Sequence, residues 1–315
     1  MLNQLIEELK EKNITISFSK GKMQYSGPEE NIDNELLAKL KEYKPKLLKH
    51  FWPKECPNMM PINTEGDLTP IALLHGGPSN YPISDYLGKN RPFYGFFYIG
   101  SEGEKIRYKT LEDFAGEYLK QLQNIVPEGP YILGGLSMGG HLAFDMALQL
   151  QRQGHKVPLL ILVDSGLITY VPPVHYPQFF KRVFHKIYEA LKSVFYWVYN
   201  KSRKMIYDLF SSFYDKLPAK KRKKYIMWIY GELMSRYKPT EKFNGKILLF
   251  KATDAFMNEE YLGWDNVCDD ITKVYYDGDH GSMFNDKVAV DVIKTNIDEW
   301  LKKNEFKKKK QLVSA

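Results

Sequence analysis

Only two cysteines occur in the 315 residues, Cys56 and Cys268, and they stand far apart without metal-ligand spacing. That scarcity argues against a disulfide-stapled scaffold or a cysteine-held zinc, and it fits a reducing compartment. Neither cysteine has a catalytic setting. Long apolar runs are missing as well: no stretch reaches membrane-spanning length with few charges, so no transmembrane segment and no membrane association are expected. The start, "MLNQLIEELKEKN", is acidic and amphipathic and lacks the basic head and apolar centre of a secretory leader, so a cytoplasmic protein is expected. No internal repeat is visible. Acidic residues are scarce in one region: from Val171 to Thr240, 15 Lys and Arg stand against 4 Asp and Glu, while the whole chain carries +7. That region also holds 17 of the 45 aromatic residues, in runs such as "VFYWVYNKSRKMIYDLF", at helical spacing. Amphipathic helices with a solvated basic face account for this better than a groove for bases, and no nucleic-acid partner is expected.

What is present supports a substantial core, with 43% hydrophobic and 14% aromatic residues. Three segments follow one another. In residues 1–52, Leu2, Leu5, Ile6 and Leu9 are spaced for a helix, Ile14, Ile16 and Phe18 alternate as a strand, "SKGK" can turn, and Met23 and Tyr25 alternate again. Leu36, Leu37 and Leu40 mark a second helix, and Pro45 opens a third with Leu47, Leu48, Phe51 and Trp52. Residues 53–67 are rich in turn formers and lack periodicity, and they are expected to be a linker. From Leu68 to about 303, apolar runs alternate with helical patterns: "PIALLHGG", "PFYGFFYI", "PYILGGLS", "PLLILVDSG", "KILLFKATD" and "ITKVYYDGDHG". That alternation is the signature of an α/β fold with a mostly parallel sheet covered on both faces. The helical block at about 175–238 interrupts it, as a lid would, and residues 304–315 read as a frayed basic tail.

Within "YILGGLSMGG", Gly135-Leu136-Ser137-Met138-Gly139 has the form G-x-S-x-G. A chance match in a chain of this length has odds of roughly one in ten, so the pattern alone is weak. Its setting is stronger. It follows the strand-like "YIL" and precedes a helix striped by Leu142, Ala143, Met146 and Leu150. Small residues permit a sharp elbow that exposes the Ser137 hydroxyl above the sheet, at a helix N-terminus that favours developing negative charge. A nucleophilic serine needs a base, and the base an orienting acid. His280, in "DGDHGSMF" after a late strand, fits the base; His50, His75, His141, His155, His175 and His185 lack that placement. Two acids compete: Asp164 ends "LLILVD" directly after the elbow helix, and Asp254 ends "ILLFKATD". The oxyanion hole is expected from the backbone N–H of Met138 and, in the loop after "IALLHGG", of Gly77.

The stretches "LLHGGPSN", "YILGGLSMGGHLAFDMALQLQRQGHKV", "LLILVDSG", "RYKPTEKFNGKILLFKATD" and "DGDHGSMF" together resemble the thioesterase domains of nonribosomal peptide and polyketide synthetases, over roughly residues 68–303. The resemblance implies an α/β-hydrolase fold, a helical lid, and a catalytic acid on the strand after the elbow, which maps to Asp164 rather than Asp254. It implies no bound cofactor, the substrate being carried on the phosphopantetheine of an acyl or peptidyl carrier protein. Residues 1–52 are similar to the small α+β N-terminal docking domains of tubulysin-type synthetases, which implies a partner in the C-terminal segment of an upstream megasynthase; a homodimer through this module is left open. The expected function is release of an acyl chain through an acyl-serine, by hydrolysis or cyclisation. The alternatives are an editing thioesterase that clears misprimed carriers, a lipase or esterase, and an idle interaction module.

Overall fold

The computed structural model describes residues 2–19, 22–43, 47, 50–51, 56–100, 105–106, 108–167, 214, 216–222, 225–255, 257 and 259–313. By internal contacts the chain divides into two compact units, one of residues 1–98, 108–167 and 237–315, the other of residues 99–107 and 168–236.

The first unit begins with α1 (Leu2–Glu11), whose Leu5, Ile6 and Leu9 share one face and are buried. Asn13 leaves that helix at φ 53°, a left-handed position that asparagine tolerates. A hairpin follows, β1 (Thr15–Ser19) against β2 (Lys22–Ser26), in register from Thr15 opposite Ser26 to Ser19 opposite Lys22. Next comes α2 (Asn34–Glu42), capped by Asp33, whose carboxylate accepts the Leu36 N–H at 2.7 Å. Leu36 and Leu40 close a small core with the α1 leucines, Ile14, Ile16 and Leu47. The order helix, hairpin, helix is the one expected for residues 1–52. Of the third expected helix, Leu47, His50 and Phe51 are helical, and its other residues lie outside the described ones.

The main sheet has seven strands. β3 (Met59–Asn63) and β4 (Ile71–Leu74) are followed by α3 (Asn80–Leu87), β5 (Phe93–Phe96), α4 (Leu111–Ile125), β6 (Ile132–Leu136), α5 (Met138–Arg152) and β7 (Leu159–Val163). The second unit contributes α6 (Ala219–Arg222) and α7 (Ile226–Arg236). The first unit then resumes with β8 (Lys246–Ala252), β9 (Ile271–Tyr276), α8 (Ser282–Asn285) and α9 (Lys287–Val313). Strand order is β3-β5-β4-β6-β7-β8-β9, and every pairing is parallel except that of β3 with β5. The fold is that of an α/β hydrolase, as expected.

Burial explains why these runs become strands. All residues of β4, β6 and β7 are buried, so both faces must be apolar and the sequence reads as continuous rather than alternating. Alternate side chains still go to opposite faces. Ile71, Leu73, Ile132, Leu159 and Ile161 pack with Ala289, Ile293, Ile297 and Leu301 of α9, while Phe96 meets Tyr118 of α4 with ring centroids 5.1 Å apart.

Two expectations meet a different arrangement. The stretch 53–67 is not wholly linker, because Met59–Asn63 form β3 on the sheet edge. Met59 is buried against the body, and Pro61 is tolerated because an edge strand has one side that needs no ladder donor. The basic end is helical rather than frayed through Val313, since "LKKNEFKKKKQLV" holds good helix formers and no glycine or proline. The lid expected at 175–238 falls mainly outside the described residues. Its described part shows exposed Lys220 and Lys221 on α6 and buried Ile229, Tyr230 and Leu233 on α7, with Met227 and Trp228 exposed.

Candidate active site

Ser137 stands between the end of β6 and the first residue of α5, at φ 53° and ψ −123°. That left-handed conformation is strained for a residue with a side chain, and the packing around it holds it there. Gly135 and Gly139 make the elbow that tight: a Cβ on Gly135 would lie 2.0 Å from the Gly139 carbonyl carbon, and one on Gly139 would lie 2.4 Å from the Leu74 oxygen. The Ser137 N–H donates to Val163 O at 2.9 Å, and its carbonyl accepts the Gly140 N–H at 3.0 Å. The hydroxyl is thus fixed at the carboxyl edge of the sheet, on the positive end of a 15-residue helix.

His280 approaches from the loop after β9. Its Nε2 lies 2.9 Å from Ser137 Oγ, and its Nδ1 lies 2.6 Å from Asp164 Oδ2. Asp164 follows β7 at φ 43°, is 0% exposed, and accepts the Ala252 N–H on Oδ1 at 3.3 Å. The His280 side chain is 41% exposed, so the hydrogen bonds run from a buried carboxylate to a ring open to solvent. Asp254 is exposed and is held through its backbone N–H, which donates to Gly278 O at 3.0 Å. The structure therefore brings Ser137, His280 and Asp164 together and leaves the Asp254 carboxylate at the surface.

Met138 opens α5, with its backbone N–H in the first turn, where helix donors lack an intrahelical partner. Gly77 starts a 3-10 turn, Gly77–Ser79, at φ 52°, a conformation glycine adopts at no steric cost. The Cβ position of Gly139 is also 3.0 Å from His75 Cβ, so the start of α5 lies against the segment leading into Gly77.

Other histidines have structural surroundings. His75 is buried, with Nε2 3.1 Å from Tyr118 Oη and its ring stacked 3.9 Å from Tyr98; burial pushes its pKa down to about 3. His141, also buried, has Nδ1 3.3 Å from Ser165 Oγ, and burial lowers its pKa to about 4. His155 meets Tyr131 edge-on, and His50 meets Phe51. His175 and His185 lie outside the described residues. Sequence reasoning missed the supports around Asp164 and His280. Trp264 Nε1 donates to Ser165 O beside Asp164, and Asp279 Oδ1 accepts the N–H groups of Gly281 and Ser282 at 2.8 and 3.1 Å beside His280. These backbone donors and the Ser282 hydroxyl hold the Asp279 carboxyl below the usual range. The "DHGS" spacing, an acid three residues before a serine, was a legible turn signal; Trp264 gave none.

Two families match the sequence. Residues 82–167 match the thioesterase domain family, and residues 2–52 match the TubC N-terminal docking domain family. The docking-domain match thus precedes the thioesterase match along the chain. A dimodular nonribosomal peptide synthase of Bacillus subtilis (strain 168) is 38% identical over 118 residues, which is 36% of this chain and 5% of that protein. The polyketide synthase PksR of the same organism is 33% identical over 111 residues, 35% of this chain and 4% of that protein. The chain thus spans a small fraction of the curated relatives it matches. Among solved structures, the NocB thioesterase domain in covalent complex with a fluorophosphonate nocardicin G analog aligns with a TM-score of 0.55 at 23% identity, over 78% of this chain and 99% of that one. At that identity the likeness carries the fold. The thioesterase match ends at residue 167, so it includes Ser137 and Asp164 but not His280, whose placement rests on the geometry above.

Among the described residues no group of His, Cys, Asp and Glu is arranged to hold a metal, and no helix is long and apolar enough to cross a membrane.

Proposed function

We propose that this protein releases an acyl or peptidyl chain from the phosphopantetheine thioester of a carrier protein, with Ser137 as nucleophile, His280 as general base and Asp164 as its orienting acid. The observation that carries the proposal is the continuous set of hydrogen bonds from Ser137 Oγ through His280 to buried Asp164, anchored on a strained elbow. Asp164 accepts the Nδ1–H of His280, which leaves Nε2 unprotonated and able to take the Ser137 proton. Serine oxygen then attacks the thioester carbonyl, and the oxyanion is met by the N–H groups of Met138 and Gly77. As the C–S bond breaks, His280 returns its proton to the leaving thiolate, and an acyl-serine remains. Water activated by His280 yields the acid, or an amine or hydroxyl of the chain itself yields a ring; exclusion of water from the site selects between them.

The docking domain supports a partner: it would hold the C-terminal segment of an upstream synthetase, raising the local concentration of the loaded carrier. Such a protein works in the cytoplasm beside its carrier. The test compares release from a carrier bearing an elongated chain, release from an acetyl-loaded carrier, and hydrolysis of a simple ester, each with a Ser137→Ala control. Fastest release of the elongated chain is expected. Preference for acetyl-carrier would make the protein an editing enzyme, and preference for the simple ester would make it an esterase.

A further inference from the structure

Ser79 is a polar side chain that the mechanism above does not use, and it is 1% exposed. It closes the 3-10 turn that starts at Gly77, two residues after the end of the sequence "IALLHGG". Its hydroxyl donates across 204 and 205 positions of sequence, to Met283 O at 2.7 Å and Phe284 O at 2.8 Å. Both acceptors belong to α8, the four-residue helix that begins two residues after His280. So short a helix satisfies few of its own carbonyls, and those near its C-terminal end need donors from elsewhere. The hydroxyl has one proton and serves both oxygens as a three-centre bond. Packing adds to the junction: Met283 is 0% exposed, and the Cβ position of Gly77 lies 4.0 Å from Phe284 Cδ1.

At its other end α8 is tied to the His280 loop. Asp279 Oδ1 accepts from Gly281 N, Ser282 N and Ser282 Oγ, and the Asp279 N–H donates back to Ser282 Oγ at 3.1 Å. The backbone on either side of His280 therefore has α8 as its support, and α8 has Ser79. We infer that Ser79 is a positioning residue that couples the Gly77 loop to the His280 loop, so that the proposed oxyanion donor and the proposed base are set by one buried hydroxyl. This rests on the assignment of Ser137 and His280 made above.

Removing the hydroxyl leaves the buried Met283 carbonyl and the part-buried Phe284 carbonyl without this donor and lets α8 shift. Displacements of about 1 Å at a catalytic group cost on the order of 100-fold, so Ser79→Ala should lower kcat for a small acyl thioester by roughly 10- to 100-fold with KM little changed. The deciding pair is Ser79→Thr and Ser79→Val, nearly equal in shape and different in the hydroxyl. Each full-length variant is assayed for thioester kcat and for the rate of labelling by a fluorophosphonate, with its melting temperature alongside. Threonine should hold both rates within about tenfold of the parent protein, while valine should lose them as alanine does. Alanine and valine variants at parental rates would overturn the inference. Equal losses in threonine and valine variants would also overturn it, because bulk and not the hydroxyl would then be responsible. A Ser137→Ala protein that still labels and turns over would instead refute the assignment on which the inference rests.

Discussion

Replacing Asp164 by asparagine tests the proposed orienting acid with almost no change of shape. Asp164 is buried and 2.6 Å from His280 Nδ1, so its carboxylate forces the proton onto Nδ1 and leaves Nε2, 2.9 Å from Ser137 Oγ, as the acceptor. An asparagine oxygen can keep the bond from the Ala252 N–H, which turns the amide NH2 toward the imidazole. That NH2 can only donate, so the imidazole turns over to the tautomer with its proton on Nε2, and the serine loses its base. The same change in a serine protease triad lowers kcat by about 10⁴-fold, equivalent to about 5.4 kcal/mol of barrier. A loss of about 10³- to 10⁴-fold is expected here, read from thiol release on a small acyl thioester, with far-ultraviolet circular dichroism unchanged. Asp254→Asn is the control; its carboxylate is exposed and its backbone N–H bond to Gly278 survives, so activity should stay within about twofold of the parent. Crippling by Asp254→Asn, or a loss under about tenfold in Asp164→Asn, would refute the reasoning.

Further outcomes are expected. Removing residues 1–52 should leave turnover of a small thioester near the parental rate and slow release from the cognate carrier, because docking supplies a local concentration in the millimolar range for short tethers; equal carrier rates at low micromolar protein would refute docking. Cutting instead at residue 68 also deletes β3 and buried Met59, which should destabilise the body by roughly 2 kcal/mol or more and lower its melting temperature. Gly139→Ala puts a methyl 2.4 Å from Leu74 O, so the soluble yield or the melting temperature should fall; a parental melting curve would show the elbow is looser than described. His75 and His141 have folded pKa values lowered to about 3 and about 4. Between the unfolded value near 6.5 and those values the unfolded chain binds more protons, so their contribution lowers stability as pH falls through that window. His141→Gln should reduce the slope of unfolding free energy against pH between about 6 and 4.5 by up to about 1.4 kcal/mol per pH unit.

The parallel strands β4, β6 and β7 were legible because they are buried on both faces and are written without a polar side chain. β3 was not, since "MMPIN" has neither alternation nor a long apolar run, and its strand state comes from pairing with β5. The elbow that carries Ser137 was legible from a local pattern in its setting, and the loop that carries His280 from its position after a late strand. The acid stayed ambiguous at the level of residues, because β7 and β8 each lead into an aspartate. Only the three-dimensional path of the chain, which turns Asp164 inward at φ 43° and leaves Asp254 outside, separates them. The supports were least legible. Ser79 reaches 204 residues along the chain and Trp264 reaches back 99, and no local pattern records a bond over such spans.

The central claim is that Ser137 carries the acyl group. Incubating the protein with a slowly turned-over acyl thioester, quenching in acid and digesting should give one peptide with the added acyl mass, containing Ser137, absent in Ser137→Ala and strongly reduced in His280→Ala. Acyl mass on any other residue, with Ser137→Ala still releasing thiol at the parental rate, would contradict the account.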